Sequence, residues 1–204
     1  MDLDTMRARV RTDLRDPSAE RWDDAALDRH IERALAELSL AAPREATTTL
    51  LTVEGARDLD LSVLGGLIAV DAVEYPAGQY PPAFVPFSIW GDTLTLDVDS
   101  APPAGQEVHV RYSAAHVLDG EGTTLPDPLH DLVATGAAAY AAIEWASYAT
   151  NRINVGGDDV WRRYLAWGQD RLASFSRALA KHGRERRLKS RRLYVAAVAG
   201  VGRR

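Results

Sequence analysis

Two periodicities divide this chain into three stretches, helical at both ends and strand-like between. Leu3, Met6, Val10 and Leu14 recur at spacings of three and four, which places them on one face of a helix. Asp16-Pro17-Ser18 ends that helix, because proline lacks an amide donor and disfavours helix in the residue before it. Asp23 predicts the start of a second helix, capping the free amides of its first turn. Trp22 and Leu27 flank the cap as a hydrophobic staple. Leu27, Ile31, Leu35 and Leu38 carry the stripe to Pro43.

From Thr47 the period becomes two. Segments 47–53, 59–62, 67–75, 84–90, 93–98 and 106–113 read as strands, with a turn at Glu54-Gly55 and a two-residue hairpin at Gly91-Asp92. Leu94, Leu96 and Val98 face one way and Thr93, Thr95 and Asp97 the other. Val108, Val110 and Tyr112 alternate in the same manner with Glu107, His109 and Arg111. Short strands of this kind predict a small sandwich or barrel.

Helical spacing returns after Pro126. Asp127 is a cap, and Pro128 occupies the first helical position, where its missing donor costs nothing. Leu129, Leu132, Val133, Ala137, Tyr140 and Ile143 form the expected buried side. The run 134–139 has almost no side-chain bulk, so another helix can approach it closely. A loop holding Asn154-Val155-Gly156-Gly157 precedes a last long helix over 158–182, with Trp161, Tyr164, Leu165, Gly168, Leu172, Phe175 and Leu179 in register. Gly183 is placed to end it as a C-terminal cap.

The pattern predicts an α+β fold. About four helices, two N-terminal and two C-terminal, form a discontinuous bundle from residues 1–44 and 116–183. A small antiparallel β domain, 45–115, is inserted between them, and a basic–apolar arm, 184–204, extends from the end. The two halves of the bundle can pack together only if the insert leaves and returns at the same end.

Composition sharpens this picture in two places. The 204 residues contain no cysteine, which removes disulfides and thiolate metal sites and fits a reducing cytoplasm. The net charge of −5 hides an asymmetry: residues 181–204 hold nine bases against one acid, a net +8 that leaves −13 on residues 1–180. Acids stand near the N-terminus where a signal peptide carries bases, and no run approaches the ~20 apolar residues of a membrane span.

A search for reactive constellations returns little. The five histidines (His30, His109, His116, His130, His182) show no pair at ligand spacing on one helix. There is no nucleophile elbow and no phosphate-cradling glycine loop. Carboxylates pair at Asp58/Asp60, Asp97/Asp99 and Asp158/Asp159, where solvated edges and a helix N-terminus explain them better than a cation. No enzyme activity, cofactor or metal is expected. Trp22, Trp161 and Trp167 lie on or beside helical stripes, whereas Trp90, at the hairpin turn, is a candidate contact residue of the β domain.

The arm is the most distinctive segment. Arg184, Arg186, Arg187, Lys189, Arg191 and Arg192 are followed by the apolar run Leu193–Val201, including Leu193, Tyr194, Val195 and Val198. Bases alone fit DNA contact or a solvated tail. Nine apolar residues after them fit an arm that docks on another subunit, as an added strand or a helix in a groove.

Three stretches resemble tailed-phage and gene-transfer-agent head–tail connector adaptors, the head completion proteins. They are residues 10–16 with 21–27 and 31–38, then Leu125-Pro126-Asp127-Pro128-Leu129-His130-Asp131-Leu132-Val133, then the aromatic helix 161–179. The resemblance implies a structural virion protein, assembled in the host cytoplasm, forming a twelve-fold ring beneath the portal. It implies a portal partner above, stopper or tail proteins below, and DNA passing through the channel without sequence-specific binding. The β insert is larger than in the smallest members of that family. Two competing readings remain: a stopper or tail-terminator layer of the same connector, and a DNA-binding regulator using the basic tail.

Overall fold

The computed structural model describes residues 1–149 and 160–190, the side chains of 186–190 excepted. Its elements in chain order are α1 (Leu3–Leu14), α2 (Asp24–Ala41), β1 (Arg44–Leu51), β2 (Asp58–Asp60), β3 (Leu67–Glu74), β4 (Phe87–Trp90), β5 (Thr93–Leu96), β6 (Glu107–Ala114), α3 (Asp127–Ala149) and α4 (Val160–Ser190). The fold is α+β, with four helices and two antiparallel three-stranded sheets.

Local chemistry sets the helix starts. The Asp2 carboxylate accepts from the Thr5 amide at 2.8 Å, and the Asp23 carboxylate from the Ala26 amide at 2.7 Å, each satisfying a first-turn donor. Trp22 and Leu27 are both buried around the second cap, as the staple requires. Met6, Val10 and Leu14 of α1 face Leu27, Ile31, Ala34 and Leu38 of α2 within one apolar core.

Helix α3 fills the centre of that core, in contact with α1, α2 and α4. Of the expected stripe Val133, Ala137 and Tyr140 are buried, but burial is not confined to that side. Ala134, Gly136, Ala137, Ala138, Ala139, Ala141 and Ala142 are buried on all sides, while Leu129, Leu132 and Ile143 are only partly covered. Small side chains let three helices close around one, with Val133 and Tyr140 the bulkier apolar residues that it buries. At two positions even a methyl group is too much. A Cβ on Gly136 would lie 2.9 Å from Phe175 Cζ and 3.0 Å from Ala34 Cβ. A Cβ on Gly168 of α4 would lie 2.9 Å from Ile143 Cγ1 and 3.1 Å from the Ala139 carbonyl oxygen.

The β strands form sheets of order β1-β6-β3 and β2-β5-β4. Leu59, Leu94 and Leu96 of one sheet and Val73, Val108 and Val110 of the other close a second apolar core, as in a small sandwich. Gly91, at φ +58, makes the β4–β5 turn in which Trp90 pairs with Thr93. The strand bounds shift from expectation by one to three residues, most at the starts of β1 and β4. Strand β1 starts at Arg44, because its pairing with β6 begins immediately after Pro43. The segment 84–90 yields only Phe87–Trp90, since Pro86 has no donor for a ladder.

The insert leaves and returns through one pair of strands, Arg44 opposite Ala114. His116 fastens that junction. Its amide donates to Ser39 Oγ at 3.0 Å, its Nε2 lies 2.9 Å from the Ala42 carbonyl, and its Nδ1 lies within reach of Thr124.

Helix α4 does not end at Gly183 but continues to Ser190. Gly183 has none of the positive φ of a C-terminal cap. The residues beyond it, Arg184 to Lys189, are mostly strong helix formers, and Glu185 pairs back to Lys181 and His182. Residues 184–190 are therefore helix and not extended arm. The predicted loop 150–157 and the remaining arm, 191–204, lie outside the described residues.

The glycines give a test with opposite signs. Gly168→Ala should lower stability, because overpacking of about 1–3 kcal/mol exceeds the roughly 1 kcal/mol gained in helix propensity. Gly183→Ala should raise it, since the added methyl would meet nothing closer than the Ala41 carbonyl at 4.0 Å. Urea unfolding midpoints of the two variants check this, and a shift of the same sign in both contradicts the packing argument.

Candidate interaction surfaces

Of the expected arm residues, Arg184 is exposed on α4, beside a groove of about 660 Å³ that also holds Glu37, Leu40, Ala41, Leu179 and Gly183. Leu40 is 67% exposed there. The backbone of Arg186, Arg187 and Lys189 is in α4, and their side chains lie outside the described residues. Arg191, Arg192, Leu193, Tyr194, Val195 and Val198 lie wholly outside them. Trp90 stands at the β4–β5 turn, 91% exposed, on the face of its sheet opposite Leu94 and Leu96.

The structure gathers a second set of residues, in which Trp22 and Tyr164, read from the sequence as packing residues, meet Trp145, which the sequence pattern did not single out. The Trp22 and Trp145 ring centroids are 6.3 Å apart, and Tyr164 sits 6.0 Å from the first and 4.9 Å from the second. The Arg21 guanidinium covers both Trp145 and Tyr164 at 5.3 and 5.5 Å, and donates to the Tyr164 hydroxyl. Trp22 Nε1 donates to the Ala141 carbonyl at 3.3 Å. This knot joins the start of α2, the end of α3 and the start of α4. It borders a cavity of about 450 Å³ that also touches His30, Glu144 and Tyr148. The signal for Trp145 was its four-residue spacing from Ala141 and Ala149 on α3.

Asp16 sets the geometry of that corner. Its buried carboxylate accepts from the amides of Glu20, Arg21 and Trp22 at 3.0, 3.1 and 3.2 Å. Burial opposes its charge, but the three amides and Arg11 outweigh burial and hold its pKa below the ordinary carboxylate value. The turn before α2 is thus built around one carboxylate, which aims Arg21 and Trp22 at α3 and α4.

Elsewhere the polar groups serve the fold. His30 Nε2 meets Glu144 at 2.9 Å, while Arg29 donates to both Glu144 oxygens at 2.6 Å. The hydrogen bond from Arg29 holds the Glu144 carboxyl below the ordinary range. Burial is the largest influence on His30 and pushes its pKa below 6.5, against the pull of Glu144 and with help from Arg29 and Arg33. Asp58 accepts from the Thr95 hydroxyl and Asp60 from the Ser62 amide, so both are engaged in local strand and turn bonding. Among the described residues, no three His, Asp or Glu gather in a group that could hold a metal, and no helix is long and apolar enough to cross a membrane. Asp158 and Asp159 lie outside those residues.

No family model matches the chain, and no curated protein matches it. Among solved structures, one described as "Neck of empty GTA particle computed with C6 symmetry" is similar over 82% of this chain and 88% of that one. The identity is 16% and the TM-score 0.31, a superposition too loose to carry an argument about fold or function.

The buried histidine has a measurable consequence. A folded-state pKa below 6.5 means that the unfolded chain binds the proton first, so the stability tied to neutral His30 is present above pH 6.5 and is lost as pH falls below it. His30→Gln should flatten the fall in thermal midpoint below pH 6.5. An unchanged slope in the variant would show that other groups govern acid unfolding.

Proposed function

We propose that this chain is a structural, non-enzymatic component of the neck of a tailed-phage or gene-transfer-agent particle. In the finer form of this reading it is the adaptor whose ring, with twelve copies, joins the portal to the stopper or tail and extends the DNA channel. The observation that carries the reading is convergence. The first and last of the three stretches that resemble connector adaptors lie more than a hundred residues apart in sequence, yet all three meet in one helical core. Asp16, Arg21 and Trp22 come from the first, α3 is launched by the second, and Tyr164, Gly168 and Phe175 belong to the third. A chance likeness would have no reason to fall on a single packed unit.

Charge supports the same reading. Much of the basic charge of the bundle is paired within it: Arg7 with Asp28 at 2.6 Å, Arg11 with Asp24 at 2.7 Å, Arg171 with Asp13 at 3.0 Å. The surplus on residues 1–180 is acidic, which repels phosphate and suits a channel wall past which DNA slides. The unbalanced bases lie at the end of α4 and beyond, where they suit a protein partner such as the portal.

Difference imaging of purified particles with and without this protein tests the proposal. The expected result is density for a ring between portal and tail. A chain truncated after Gly183 should lose attachment to the portal. Absence from the particle, together with DNA binding by the isolated protein that weakens steeply with salt, would replace this reading with a DNA-binding regulator.

A further inference from the structure

Strand β1 has an open edge. It is the outer strand of the order β1-β6-β3, eight residues long, and no described residue bonds its free side. The other edges are short or covered. Strand β3 is flanked by 83–85, through Tyr75 N to Ala83 O and Val85 N to Val73 O, both 2.9 Å, while β2 and β4 have three and four residues. The sequence of β1, Arg-Glu-Ala-Thr-Thr-Thr-Leu-Leu, contains no proline or lysine of the kind that usually blunts an exposed edge.

The ladder shows which groups are free. Beyond the end of β1, the Thr52 amide donates to the Gln106 carbonyl at 2.9 Å. Bonded and non-bonded pairs alternate in an antiparallel ladder, so Ala46, Thr48 and Leu50 also bond β6. Glu45, Thr47, Thr49 and Leu51 then turn their amides and carbonyls outward.

We infer that this edge receives residues 193–201 of a second copy of the chain as an added antiparallel strand. This deepens the ring reading above by naming a contact between subunits. The lengths match, nine residues against eight, and Tyr194, Val195, Val198 and Val201 are strand formers. Direction excludes the chain's own tail. Gly183 lies beside Ala41, so α4 passes the end of β1 at which Arg44 begins. Seven further helical residues and a two-residue link reach about 20 Å at most. Strand β1 is about 27 Å long. An intrachain strand would therefore have to run parallel to β1, bringing Arg191 and Arg192 against Arg44, whose Nε is already buried without a partner. A second copy can enter from the Leu51 end. There the same bases meet Glu54 and Glu107, both exposed.

The absence of cysteine makes the test direct. Thr49→Cys full-length protein is mixed with a larger, tagged Val195→Cys protein and treated with a short bismaleimide, in solution and in particles. The expected product is a mixed dimer at least tenfold above that from a Thr93→Cys control. Control-level product in both settings, or only an intrachain link in the double variant, overturns the inference. Thr47→Pro removes an outward amide and spares the β6 ladder, so it should cut the mixed dimer tenfold with an unchanged thermal midpoint. Undiminished cross-linking in that variant also overturns it. A ring in the particle without this cross-link sinks the strand addition alone, and the cross-link without such a ring sinks the neck reading alone.

Discussion

The close approach of α3 and α4 is the constraint on which the rest of the structure depends. Gly136 and Gly168 sit where a methyl group would strike a ring, another helix's side chain or a backbone oxygen. Because α3 presents so little bulk, three helices reach it at once, and Phe175 can be buried against Gly136 and Tyr140. A larger residue at either glycine would push α4 outward and separate Tyr164 from Trp22 and Trp145. The aromatic knot therefore inherits its geometry from glycines about one turn from Tyr164 and two and a half turns from Trp145.

A second dependence concerns the insert. The bundle interrupts itself for some seventy residues and still packs, because the interruption is closed by a strand pair. The ladder from Arg44 to Ala114 fixes both ends of the insert against each other, and His116 with Ser39 fixes that ladder to α2. The β unit can then keep its own core of Leu, Val and Tyr side chains with little demand on the helical one. That separation frees its outer strand and hairpin tip for contacts that do not disturb the bundle.

Much of this was legible in the sequence, and the misses have physical causes. Leu3 to Leu14, the Trp22–Asp23–Leu27 corner and the Gly91-Asp92 hairpin could be read because period and cap chemistry are local. The all-round burial of α3 could not, since alanine carries no periodic signal and its burial depends on what surrounds it. Gly183 misled because glycine after an apolar stripe is a stop signal only where the backbone turns left-handed. Asp16 looked like a helix breaker and proved to be the carboxylate that organises the corner. Strand pairing was invisible as well: β1 and β6 are close in space and some sixty residues apart in sequence, and periodicity does not encode partners.

The two charge populations follow from the same architecture. Acids and bases on α1, α2 and α3 can answer one another across a packed bundle, as Arg7–Asp28 and Arg29–Glu144 do. Beyond Gly183 the sequence of α4 holds four bases against one acid, Glu185, so most of these bases must be answered from elsewhere. Their partner must be acidic and within reach of the end of α4. A second copy offers that at the Leu51 end of β1, where Glu54 and Glu107 stand next to backbone groups that no described residue bonds. Recognition by charge and by strand addition would then coincide at one place, with the bases steering the tail to the acidic end and the ladder fixing its direction.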